Sequence, residues 1–188
     1  METLKKELQQ DSDIWKILHI IKELELKDSW LCAGSVRNFI WNRSSGQPGF
    51  DPETDVDIIF YDPDVSYEET CQLEKQLLQV YPQYRWELKN QVYMHIHNPR
   101  TAPYINSKDA MSKYPETCTA IGVRLMEDET IEVFAPYGLE VIRAFRIDPT
   151  PHFFQNEERR QLYHTRLQKK NWLEKWPNLQ ITNIPIED

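Results

Sequence analysis

The chain has 188 residues, 40% apolar and 28% charged, with a formal net charge of -8. This fits one compact globular domain with an appended C-terminal element, and the 12% aromatic share excludes a disordered chain. The acidic balance argues against broad nonspecific binding to nucleic acid, and no run approaches the ~20 apolar residues of a membrane helix.

The opening Met1-Glu2-Thr3-Leu4-Lys5-Lys6 leads into no hydrophobic stretch, so no export signal is expected. Three scattered cysteines, Cys32, Cys71 and Cys118, suit a reducing, cytoplasmic compartment better than a disulfide framework. Over residues 12–24, Ile14, Ile17, Leu18, Ile21 and Leu24 recur at three- and four-residue spacing, which predicts an amphipathic helix. Residues 30–33 form a short apolar run suited to a buried strand, ended by Gly34 and Ser35. Ser35 is expected to cap a helix that opens over 36–41. Residues 43–54, with two glycines and two prolines, read as a loop. Residues 55–61 alternate as a strand, with Val56, Ile58 and Phe60 on one face and Asp55, Asp57, Ile59 and Tyr61 on the other.

Ser66 and Glu69 form a capping box for a helix running to about Val80. Residues 83–94 read as a strand pair or one long strand, a short helix starts near Ser107, and 119–125 with 130–134 make a hairpin. The alternation implies an α/β (α+β) fold with a sheet of mixed direction and helices packed against it. Asp148-Pro149-Thr150-Pro151 marks a boundary between a main domain, 1–147, and a C-terminal helical extension, 148–188. The extension's helix, 156–170, carries Arg159, Arg160, Arg166, Lys169 and Lys170 and is expected to be the most basic surface.

Alternate strand residues share a face, so Asp55 and Asp57 stand side by side, roughly 7 Å apart at the backbone. Two such anions repel unless they are solvated or a hard divalent cation, Mg²⁺ or Mn²⁺, takes the oxygens together with phosphate. A bare D-x-D more often marks a solvated strand face. Gly34 and Ser35 change that balance, because glycine lets a ligand approach the backbone and the free amides of a helix start attract phosphate. Turn and acid pair together read as a phosphate cradle facing a metal site. Arg37 and Lys89 are candidates to neutralise a triphosphate, and Asn90, Gln91 and Thr117 to bind sugar or base. Alternatively, Arg37 pairs with an acid on its helix and Lys89 is solvated. His95 and His97, at strand spacing, lack the companions of a zinc site, and Trp172 with Trp176 reads as a packing stripe.

Gly34-Ser35, a helix, and Asp55-Val56-Asp57 in a strand resemble the signature of polymerase-β-like nucleotidyltransferases. Gly34-Ser35-Val36-Arg37-Asn38 is similar to the turn of the head domain of CCA-adding enzymes. Trp86-Glu87-Leu88-Lys89-Asn90-Gln91, Tyr114-Pro115-Glu116-Thr117 and Ala135-Pro136-Tyr137-Gly138-Leu139 resemble a family of small bacterial nucleotidyltransferases. The resemblance implies metal-assisted transfer of a nucleoside monophosphate from a nucleoside triphosphate to an unidentified acceptor. Gly34, Ser35, Arg37, Asn38, Lys89 and Asn90 would then hold the nucleotide, and Asp55 and Asp57 the metal.

It further implies a third catalytic carboxylate, for which Glu87 and Glu132 compete. Glu87 is preferred, because in the superfamily that strand usually follows the helix after the D-x-D. Ser35 stands for a second glycine and Asn38 for an Asp, which keeps open a nucleotide-binding module without turnover, and the basic helix separately keeps open a protein-interaction domain that docks an acidic partner. The sequence ends where a CCA-adding enzyme begins its helical tRNA-binding body, so tRNA 3′-end synthesis is not expected. RNA ranks below other acceptors, and helix 156–170 is expected to pack Leu162, Tyr163 and Leu167 against the catalytic domain.

Overall fold

A computed structural model of the chain describes residues 1–185. It opens on a helix that the sequence reading does not anticipate, α1 (Glu2–Gln10), whose only apolar residues, Leu4 and Leu8, lie one turn apart and are both buried. Asp11 separates it from α2 (Ser12–Glu23). One Asp11 carboxylate oxygen accepts the Asp13 and Ile14 amides at 3.1 and 3.0 Å, and the other accepts the Phe50 amide at 3.2 Å. The cap thus also pins the later loop to the helix pair.

The central elements follow in the order β1 (Trp30–Cys32), α3 (Gly34–Ser44), β2 (Asp55–Phe60), α4 (Tyr67–Val80), β3 (Arg85–Asn90), a 3₁₀ turn (Met94–His97), α5 (Ser107–Ser112), β4 (Gly122–Leu125) and β5 (Ile131–Phe134). The five strands form a mixed sheet in the order β3-β2-β1-β4-β5. Strands β2 and β3 run parallel, with α4 as their crossover, and the other pairs are antiparallel. The capping box opens α4 as expected: Glu69 accepts the Ser66 amide at 2.7 Å, and the Ser66 hydroxyl accepts the Glu69 amide at 3.1 Å. Val56, Ile58, Phe60, Trp86 and Leu88 face the main core with α2 and α3, while Trp30, Cys32, Ile59 and Met111 build a smaller cluster.

The expected strand over 83–94 is shorter. Asn90 ends it by donating its amide to the Asp62 and Val65 carbonyls at 2.8 and 3.0 Å, which ties the strand end to the loop before α4. His95 and His97 therefore sit on a 3₁₀ turn and not at strand spacing.

The remaining elements are α6 (Glu140–Arg143), β6 (Arg146–Ile147), α7 (Pro151–Phe154), α8 (Glu157–Lys169), α9 (Trp172–Lys175) and β7 (Gln180–Ile181), with β6 and β7 paired parallel. Tyr163 of α8 is fully buried, and Leu162 and Leu167 pack against the core. Trp172 and Trp176 close around Trp41, with ring centroids 5.9 and 4.9 Å away. Three such aromatics bury on the order of 150–250 Å² each, enough to anchor the segment firmly. The expectation of a basic outer surface on α8 is corrected at Arg159: its side chain is buried and donates to the carbonyls of Pro99, His152 and Arg100 at 2.7, 2.9 and 2.5 Å. Among the described residues no helix is long and apolar enough to cross a membrane.

Candidate active site

Strand alternation places Asp55, Asp57 and Ile59 of β2 on one face, and the parallel register sets Arg85, Glu87 and Lys89 of β3 beside them. Asp57 lies directly opposite Glu87, and Asp55 opposite Arg85, whose Nε is 3.3 Å from the Asp55 carboxylate. Burial pushes the Asp57 carboxyl up to about 7, and the Glu87 and Asp55 charges add to this against Arg37 and Lys170. An acid set held together against its own repulsion can take up positive charge.

The start of α3 presses against this set. A Cβ on Gly34 would stand 3.2 Å from Asp57 Oδ2 and 3.4 Å from Arg37 Nη2, so a larger residue crowds both groups. The residue before it, Ala33, adopts φ 52 and ψ -125, a left-handed backbone that turns the chain from β1 into the helix. The Gly34 and Ser35 amides have no carbonyl a turn earlier to bond, as at any helix start.

Ser35 is not the helix cap. Its hydroxyl reaches across to β2, donating to the Asp55 carbonyl at 2.9 Å and accepting the Asp57 amide at 2.7 Å. Arg37 is buried and donates to Thr119 Oγ1 at 2.7 Å and to Asn38 Oδ1 at 3.1 and 3.0 Å, with Cζ 4.4 Å from the Trp172 ring. Asn38 thus orients Arg37, and both residues line the cleft. Lys89 lines it too, 4.0 Å from Glu74.

Besides Ser35, three candidates do not line the cleft: Asn90, Glu132 and Thr117, whose hydroxyl is buried without a hydrogen-bond partner. Asn90 points to the opposite face of β3, where its amide closes the strand end, so it is not brought to the cleft. Glu132 on β5 is held by Arg124 and Lys108 at 2.6 and 3.0 Å, away from Asp55 and Asp57. Of the two candidates for the third carboxylate, Glu87 is the one beside the pair.

The cleft has a volume of about 730 Å³, within the range of small-molecule sites. Its far wall comes from the C-terminal part of the chain: Leu162, Arg166, Lys170, Trp172, Lys175 and Trp176. Tyr104, Tyr114 and His97 border it as well. Sequence reasoning takes Arg166 and Lys170 for outer surface, since no local pattern shows that α8 returns to the cleft. Nor does it single out the fully buried Glu116, whose Oε1 accepts from Arg166 Nε at 3.0 Å.

A sequence model for a family described as nucleotidyltransferase matches residues 19–181. Among solved structures, an NMR structure described as revealing a CCA-adding enzyme head domain is 59% identical, with a TM-score of 0.93 over 98% of this chain and 96% of that one. A chain from a structure described as a tRNA-processing enzyme complex is 13% identical, with a TM-score of 0.53. That likeness covers 88% of this chain and 43% of the other and is one of fold alone. No curated protein matches the chain.

Proposed function

Because the chain belongs to this nucleotidyltransferase family, we propose that it transfers a nucleoside monophosphate from a nucleoside triphosphate to an acceptor, using Asp55, Asp57 and Glu87. The observation that carries the reading is the placement of these three acids on adjacent strands beside the Gly34 helix start. An acceptor hydroxyl, amine or phosphate oxygen bonds to the α-phosphorus while the bond from that phosphorus to the bridging oxygen breaks and pyrophosphate leaves. Glu87, which lines the cleft, would take the acceptor's proton. The Gly34 and Ser35 amides offer hydrogen bonds to phosphate oxygens, and Arg37 offers fixed positive charge.

Nucleotidyltransferases generally use divalent metal ions. Among the described residues no three Asp, Glu, His or Cys side chains are grouped so as to hold a metal ion by themselves. Mg²⁺ sites at nucleotides are commonly built from one or two carboxylates plus substrate phosphates, so Asp55, Asp57 and Glu87 fit as an open oxygen set. A cation held there would offset charge on the leaving pyrophosphate and favour deprotonation of the acceptor. In this reading residues 1–147 form the catalytic domain, and the extension from 148 closes its cleft.

The CCA-adding description of the 59% identical structure keeps RNA among the acceptors. The burial of Arg159 weakens a role for α8 as an RNA-docking surface. The test is Mg²⁺-dependent pyrophosphate release from each nucleoside triphosphate, with short RNAs and a small-molecule extract supplied as acceptor pools. Loss of release in Asp55→Asn with Asp57→Asn supports the assignment, and release that survives the double variant refutes it.

A further inference from the structure

The cleft has two walls of opposite charge. Asp55, Asp57 and Glu87 stand on the strands, and Arg37, Arg166 and Lys170 border the same space. In a chain of net charge -8 most cations near the cleft already have acids beside them: Lys175 pairs with Asp51, Arg85 with Asp55, and Lys89 approaches Glu74. Arg37 and Lys170 make no ion pair among the described residues. Arg37 is only 5% exposed, yet its partners are the neutral Thr119 and Asn38. Asp57 and Glu116 act on it only at longer range, without direct contact. A buried guanidinium that no carboxylate contacts is costly, and an anionic ligand relieves that cost.

Arg166 lies in the last turn of α8, and Lys170 is the residue that ends the helix. Glu116, 0% exposed, accepts from Arg166 through Nε alone, so the terminal nitrogens of that guanidinium remain uncommitted among the described residues. Glu116 Oε2 has no hydrogen-bond partner, so among the described residues Arg166 is the side chain that the carboxylate engages.

We propose that Arg37, Arg166 and Lys170 form the binding wall for the outer phosphates of the nucleoside triphosphate, with Glu116 as the positioning residue that aims Arg166. The assignment rests on the nucleotidyl-transfer reading and names which part of that substrate meets the C-terminal segment. A bare anion would be repelled by the strand acids, and a bare cation by the guanidinium wall. A polyphosphate carrying a divalent cation satisfies both, its metal side toward the acids and its remaining oxygens toward Arg37, Arg166 and Lys170. The guanidinium forks suit bidentate phosphate contacts, and Lys170 acts as a point charge.

Inorganic tripolyphosphate with Mg²⁺, titrated calorimetrically into the full chain without any nucleoside, tests the wall apart from group transfer. Lys170 is exposed, so Lys170→Gln should fold normally and bind about tenfold more weakly. Lys169→Gln removes the same charge outside the cleft and should change affinity less than about twofold. Glu116→Gln should weaken binding when Arg166 is present and have no further effect in Arg166→Gln, whereas a merely structural role would weaken both backgrounds alike. No tripolyphosphate binding by the parent, or equal losses in the two lysine variants, overturns the wall. Independent effects of Glu116→Gln and Arg166→Gln overturn the positioning role. A parent that binds tripolyphosphate in this pattern but releases no pyrophosphate from nucleoside triphosphates would retain the wall and refute nucleotidyl transfer.

Discussion

Asp57→Asn should make the metal-free protein more stable while abolishing its chemistry. Burial and the Glu87 charge raise this carboxyl from its ordinary 3.8 to about 7. Between those values the folded chain holds a proton that the unfolded chain has released, so stability falls as pH rises through the window and stays low above it. At ~1.4 kcal/mol per pH unit the displacement corresponds to ~4 kcal/mol. Asp57 borders an open cleft whose water screens it, so ~1–3 kcal/mol is the expected gain for the neutral amide near pH 8. For a chain of this size that is roughly 2–4 °C in melting temperature per kcal/mol. Thermal or urea unfolding in chelator should show the variant above the parent near pH 8 and the gap closing toward about pH 4. Excess Mg²⁺ should narrow the gap by binding only the folded parent. A variant no more stable than the parent near pH 8, or a gap that ignores pH, would refute a strained carboxylate at this position.

Gly34→Val should lower the affinity for Mg²⁺-triphosphate by about tenfold or more, because its side chain would crowd Asp57 and Arg37; isothermal titration would show it, and unchanged affinity would remove Gly34 from the site. Gly49→Ala should destabilise the fold by ~1–3 kcal/mol, since a Cβ there overlaps the buried Phe39 ring; denaturant midpoints measure this, and no shift would contradict the packing. His152 is held near 4 by burial first and then by the Arg159 and Lys113 charges, against Asp109. The unfolded imidazole binds its proton near 6.5, so the stability His152 contributes is complete above that pH and is lost as pH falls toward 4. His152→Gln should flatten the melting-temperature profile across that window, and an unaltered slope would place the titration elsewhere.

What the sequence makes legible is local. The Asp55/Asp57 alternation, the Ser66–Glu69 box and the α2 periodicity each depend on residues within one or two turns, and each appears where the pattern puts it. The expected packing of Tyr163 is found as well, because apolar residues among charges on a helix require a covered side. What fails depends on long-range partners. Helix α1 shows only two leucines, and its burial is visible only once the sheet supplies a surface. The destination of the Ser35 hydroxyl lies 20 residues onward, so a serine at a helix start reads as a cap. Asn90 looks like a ligand donor until the loop before α4 claims its amide. Arg166 and Lys170 reach the cleft only because the chain after Pro151 doubles back across α3, a path fixed by the Trp41 cluster and not by any short motif.

The Ser35 hydroxyl grips both peptide groups that flank Val56. The helix start and the acid pair are therefore tethered to one another directly, as one rigid unit, and not through the chain that connects them. A double glycine would leave that junction slack, so the serine supplies stiffness where two glycines would supply only clearance. The alignment of the acid pair therefore does not depend on the length of the connection between α3 and β2. Extra residues in the exposed part of that connection, 45–48, ahead of the packed Gly49 and the pinned Phe50, would cost only the slow entropic penalty of a longer loop and leave the acid pair aligned.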